Sequence, residues 1–156
     1  MAKPSLELVA ALRETADRLE RGVKFQWSHM GSCNCGHLAQ TLTKLKPREI
    51  HSAALESVGD WTQQTRDYCP DSGLPLDSII DAILAAGFTT VDLADLERLR
   101  AHEVLAAIPA ERLPLDHRVR EDAVLYMRTW ADLLEKKWKR GMMASQTTER
   151  RELDPA

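Results

Sequence analysis

The chain has 156 residues, 44% of them hydrophobic and 29% charged, with a net charge of -3 at pH 7. That length fits one domain able to bury its own core without disulfide or metal staples. The charge balance argues against a chain built to coat nucleic acid, and no apolar run approaches the roughly 18 residues of a membrane span.

The N-terminus, Met1-Ala2-Lys3-Pro4-Ser5, leads straight into an amphipathic pattern with no apolar leader core. A cytoplasmic location is the expectation. Three cysteines are an odd count, so they cannot all pair within one chain, and reduced thiols suit that compartment.

Leu8, Leu12 and Leu19, with Val9 and Ala16 beside them, recur at helical spacing and predict a helix over Ser5–Arg21, stopped by Gly22. From Val23 to Gly36 the periodicity is lost. This segment reads as an ordered loop anchored by Phe25, Trp27 and Met30, with room for a small hairpin. Leu38, Leu42 and Leu45 mark a short helix, and Pro47 restarts the chain into another using Ile50, Ala54, Leu55 and Val58.

Gly59 to Cys69 is polar and helical in pattern, anchored by Trp61, and Pro70-Asp71-Ser72-Gly73 is a turn. Asp77 is placed to cap a helix with Ile80, Ile83 and Leu84, ended by Gly87. Thr90 or Asp92 starts a helix using Leu93, Leu96 and Leu99, and His102 to Ile108 forms another before Pro109. Asp116 opens the longest pattern, with Val119, Ala123, Tyr126, Met127, Trp130 and Leu134 on one face up to about Arg140. The whole predicts an all-α domain of six to eight helices over residues 1–141, carrying an irregular loop after the first helix. Residues 142–156 are expected to be a flexible tail.

The loop holds the chemistry. His29-Met30-Gly31-Ser32-Cys33-Asn34-Cys35-Gly36-His37 gathers two of the three cysteines and two of the five histidines. Two thiolates and two imidazoles suit tetrahedral zinc, so His29, Cys33, Cys35 and His37 are the predicted metal ligands, with His51 or Cys69 as substitutes. Another first-row metal, iron foremost, is the next choice. The single residue between the cysteines departs from the two usual in zinc fingers.

Three other readings compete. Asn34 can cap the following helix and leave Cys35 in its first turn, where a thiolate is stabilised; His37 or His51 then serves as its base in a thiol enzyme or redox sensor. Trp27, Met30 and Phe25 can wall a pocket in which Ser32, Asn34 and the helix-start N–H groups bind an anion. Or the cysteines are only buried small hydrophobes in a protein-interaction module.

Elsewhere the sequence says less. Asp92, Asp95, Glu97 and Glu103 could suggest a carboxylate-bound metal but lack a Glu-x-x-His pair, and Asp92 and Asp95 read as helix-start carboxylates. Trp138, among Lys136, Lys137, Lys139 and Arg140, marks a basic helix end. It reads first as a solvated end suiting its dipole, and otherwise as a surface for a partner helix, an anionic surface or nucleic acid; a protein partner or second copy stays open.

Overall fold

A computed structural model describes residues 2–153, with side chains described through 147. Among the described residues the fold is all-helical: α1 (Leu6–Glu20), α2 (Asn34–Thr43), α3 (Pro47–Leu55), α4 (Trp61–Arg66), α5 (Pro75–Ala85), α6 (Thr90–Arg98), α7 (His102–Ala106) and α8 (Arg120–Leu153), with a 3₁₀ turn at Ala110–Arg112. The small hairpin allowed in the 23–36 loop is not present; residues 23–33 are turns and irregular backbone, and 34–36 already belong to α2.

The first and last helices form the spine. α1 turns Leu8, Leu12, Ala16 and Leu19 inward, all fully buried, against Ala123, Met127, Ala131 and Leu134 of α8. Truncating one such leucine costs about 2–5 kcal/mol. The Ser5 hydroxyl accepts the Leu8 N–H at 3.2 Å and caps α1. At its other end Arg120 Nη1 donates to the Leu19 carbonyl at 2.7 Å. Exposed ion pairs of Arg13 with Asp132 and of Arg128 with Asp17 and Glu20 cross the seam. They contribute little individually, because water screens them.

α2 runs through the centre, touching α1, α3, α5 and α6, while α4 lies on α6 and α7 on α8. Thr15 and Thr41 share a buried hydroxyl contact of 2.7 Å between α1 and α2, and Arg18 reaches across to the His37 carbonyl at 2.8 Å. Phe88, Trp130 and Tyr126 form an edge-on aromatic cluster beneath α8.

Several helix ends differ from the sequence expectation. α5 starts after Leu74 with Pro75 in its first position. Asp77 does not cap it; its carboxylate turns back to the Ser72 hydroxyl at 2.6 Å and the Cys69 N–H at 3.3 Å, closing the preceding turn. α6 is capped by Thr89, not Thr90 or Asp92. Thr89 Oγ1 accepts the Asp92 N–H and Asp92 Oδ2 accepts the Thr89 N–H, at 3.1 and 2.9 Å. The last helix begins at Arg120 instead of Asp116, so His117 lies in the connection before it.

α8 also continues through Gly141, where an end was expected, to Leu153. One exposed glycine costs a helix only about 1 kcal/mol, and Met142, Met143 and Ala144 beyond it are good helix formers. Residues 154–156 of the expected tail lie outside the described residues. No helix is long and apolar enough to cross a membrane, among the residues described.

Candidate functional site

The 23–33 loop is held in place by its own turns and by two tryptophans. Cys33 N–H and Ser32 N–H both bond to the His29 carbonyl at 2.9 Å, and Gln26 N–H to the Ser32 carbonyl at 3.0 Å. Trp61 Nε1 donates to the Met30 carbonyl at 2.8 Å, and Trp27 Nε1 to the Glu97 carbonyl at 3.2 Å. The approach is too close for side chains at two points. A Cβ at Gly31 would lie 1.9 Å from the Pro47 carbonyl oxygen, and one at Gly36 would lie 2.4 Å from that of Met30.

The start of α2 differs in detail from the prediction. Cys33 is the N-cap, its Sγ accepting the Gly36 N–H at 3.4 Å. Asn34 is instead the first helical residue and fully buried. Its Nδ2 donates to the Leu96, Glu97 and His117 carbonyls at 3.3, 3.1 and 3.2 Å, clamping the end of α6 and the connection before α8. Cys35 does fall in the first turn, as expected.

The two thiols face α6, where Cys33 meets the carboxyl of Glu97. Cys33 Sγ donates to Glu97 Oε2 at 3.3 Å, and Cys35 Sγ to the Leu93 carbonyl at 3.0 Å. Glu97 is only 2% exposed, and its Oε1 has no hydrogen-bond partner. Burial pushes this carboxyl up to about 7, against the opposing pull of the Cys33 and Cys35 thiols and the Cys35 N–H. Burial, and then the nearby Glu97, also pushes both thiols well above their ordinary range. The thiolate expected for Cys35 is therefore disfavoured in this environment.

The histidines are occupied elsewhere. His37 Nε2 lies 2.8 Å from the Lys24 carbonyl, which only accepts, so that nitrogen carries the proton. Gln40 Nε2 approaches its Nδ1 at 3.4 Å, and burial depresses the ring to about 4. His29 and His51 stack at 4.0 Å between centroids. His29 Nδ1 accepts the Gly31 N–H and His51 Nδ1 the Met30 N–H, both at 3.1 Å, which leaves the proton of each neutral ring on Nε2.

Among the described residues no three His, Cys, Asp or Glu side chains are placed to hold one metal ion. The predicted ligands His29, Cys33, Cys35 and His37 do not converge. Neither His37 nor His51 is paired with Cys35 as a base, and Cys69 is exposed in the connection between α4 and α5.

What the fold does assemble is a small cavity of about 150 Å³ beside Cys33 and Glu97. Trp27, Met30 and Trp61 supply its apolar wall, and Ser28 and Asp60 complete it. Asp60 is already engaged, capping α4 through the Gln63 N–H at 2.9 Å and pairing with Arg98 at 3.0 Å. Trp27 packs against the Arg98 guanidinium at 5.1 Å and the His117 ring at 4.7 Å. Of the polar groups in the wall, Glu97 is the one with an unused acceptor.

Glu97 follows Leu93 by four residues and Leu96 by one, which puts it on the apolar face of α6. A carboxylate at such a position was the available signal. Compared with known protein families, curated proteins and solved structures, the chain matches none of them.

Proposed function

We propose that the protein binds a small organic amine in the cavity between Trp27 and Trp61, with the ammonium group read by Glu97. The observation that carries this reading is the unpartnered Oε1 of a buried carboxyl poised at about 7 in the wall of a cavity. Leaving such an acceptor unsatisfied costs about 1–3 kcal/mol, which a donor on a ligand recovers. An ammonium also stabilises the ionised form that burial opposes. Of the two indoles, Trp27 already carries the Arg98 guanidinium, so Trp61 is the one that would favour a cation, by about 0.5–2 kcal/mol. A volume of about 150 Å³ admits a body of roughly benzene's size.

Benzylamine and cyclohexylamine, followed by tryptophan fluorescence and calorimetry, test the proposal. Both amines are expected to bind saturably, at Kd values of about 1 mM or tighter, while benzyl alcohol and cyclohexanol bind far more weakly. Glu97→Gln is expected to abolish that preference. An absence of saturable amine binding at about 10 mM, or an unchanged preference in the variant, overturns it.

One observation favours a second reading, a transition-metal site. The buried Cys33 and Cys35 thiols both lie near the Glu97 carboxyl, and a divalent ion would displace the protons of all three. The ligands would then be Cys33, Cys35 and Glu97, with zinc preferred by that donor set. The described arrangement does not fit an ion as it stands, so this reading requires the first turn of α2 to move relative to α6. Metal analysis of protein purified under reducing conditions decides it: close to one equivalent supports the metal, and less than about 0.2 opposes it. The three free cysteines suit the reducing, cytoplasmic setting that either reading assumes.

A further inference from the structure

Another part of α6 borders a second cavity, of about 140 Å³, which shares no residue with the one beside Glu97. Asp92 and Asp95 of α6, Glu103 of α7, and Tyr126 and Trp130 of α8 line it, with no lysine or arginine among the lining residues. Two of the carboxylates are neutralised from outside the cavity: Asp95 pairs with Arg100 at 3.1 Å, and Glu103 pairs with Lys137. Asp92 has no such cation among the described residues, although it is only 7% exposed. Its Oδ2 accepts the Thr89 N–H at 2.9 Å as part of the α6 cap.

Trp130 supplies an independent observation. It is 2% exposed, it lines the cavity, and its Nε1 has no hydrogen-bond partner among the described residues. Phe88 and Tyr126 pack edge-on against the ring, with centroids at 5.4 and 6.2 Å, and neither accepts from it. A buried N–H left unmade is costly, and the cavity is the open space beside this one. Tyr126 adds a second polar group. Its oxygen accepts the Ala101 N–H at 3.1 Å. Burial, with the charges of Asp95 and Asp92 beyond it, pushes the phenol above its ordinary range against the pull of that N–H, so it stays protonated.

These groups suit one molecule that carries both a cation and an uncharged oxygen. The carboxylates select positive charge and repel a carboxylate or phosphate on the ligand, while the indole N–H selects an acceptor. A metal ion brings charge but no acceptor, and among the described residues no three His, Cys, Asp or Glu side chains are placed to hold one. A simple amine leaves the indole unpaired. We propose that this cavity binds a small amino alcohol, its ammonium paired with Asp92 and its hydroxyl oxygen accepting from Trp130 Nε1. A space of this size admits a molecule up to about the size of benzene.

The test is a titration of the full chain with ethanolamine, and with ethylamine and ethylene glycol for comparison, at neutral pH and fixed ionic strength. NMR follows the tryptophan indole N–H resonances, and calorimetry gives the affinities. A saturable downfield shift of the Trp130 indole proton is expected with ethanolamine, and weaker binding of both comparison compounds. Asp92→Asn keeps an oxygen for the Thr89 N–H but removes the charge, and is expected to weaken ethanolamine about tenfold or more, the effect of one charged hydrogen bond. Trp130→Phe removes only the donor and is expected to abolish the preference for ethanolamine over ethylamine; if that variant does not fold, Asp92→Asn still decides. Equal binding of ethanolamine and ethylamine by the native protein overturns the hydroxyl contact. Shifts that fail to saturate, an affinity unchanged in Asp92→Asn, or saturable shifts confined to the Trp27 and Trp61 indoles, which report the other cavity, overturn the site itself.

Discussion

Glu97→Gln has a consequence for stability that can be worked out from two buried groups. Glu97 has an ordinary value of 4.5 and sits at about 7 in the fold. Between those values the folded chain holds a proton that the unfolded chain has released. Its contribution to stability is full below pH 4.5, is lost as pH rises through about 7, and amounts to roughly 3 kcal/mol. His37 does the reverse. Its ordinary value of 6.5 falls to about 4 in the fold, so the unfolded chain binds the extra proton. That contribution is present above 6.5, is lost as pH falls through about 4, and is of similar size.

The two slopes oppose each other, and their sum in the native protein is a shallow profile between about pH 4.5 and 6.5. Glu97→Gln removes the falling limb, so the stability of the variant is expected to climb across that range. Urea unfolding at half-unit pH steps measures it. The stability of the native protein minus that of the variant is expected to drop by roughly 3 kcal/mol between about pH 4.5 and 8, whatever constant offset the amide introduces. A difference that does not vary with pH refutes a raised Glu97.

Three further outcomes follow from the same geometry. Under native conditions iodoacetamide is expected to modify exposed Cys69 first and buried Cys33 and Cys35 slowly; fast labelling of Cys35, read by mass spectrometry, would contradict the burial and raised values of those thiols. Gly31→Ala drives a methyl group into the Pro47 carbonyl and is expected to cost about 3 kcal/mol or more, checked by the urea midpoint. Asn34→Ala leaves the Leu96 and His117 carbonyls without this donor and the Glu97 carbonyl with Trp27 alone, for a loss of roughly 2–4 kcal/mol on the same measurement.

The helical architecture was legible because apolar spacing reports which face of a segment is buried. Leu8, Leu12 and Leu19 and the long row from Ala123 to Leu134 are the core the structure shows. Helix ends were less legible. Asp77 and Thr90 carry capping chemistry, but Pro75 and Thr89 with Asp92 set the actual starts. The loop expected over Val23–Gly36 ends early: turns run to Cys33 and the helix starts at Asn34, with Cys35 in its first turn as expected.

The partners of that loop were not legible. Glu97 meets Cys33 across a separation of 64 residues, and nothing in the spacing of the cysteines points to it. The histidines looked available because they are close in sequence, yet the direction of each ring is fixed by distant or backbone groups. His37 faces Lys24, and His29 faces His51. Proximity in sequence placed the chemistry on one loop; the packing of α6 and α3 around it turned the thiols toward α6 and His29 toward α3.

The central claim is that an ammonium ionises Glu97 in the cavity beside Cys33. Calorimetry of benzylamine binding at about pH 6, in buffers of different protonation enthalpy, tests it most directly. Glu97 is mostly protonated there, whereas the bound state holds it as a carboxylate. The prediction is release of close to one proton per amine bound by the native protein, and none with Glu97→Gln. Amine binding without proton release, or the same release from the variant, would contradict the account.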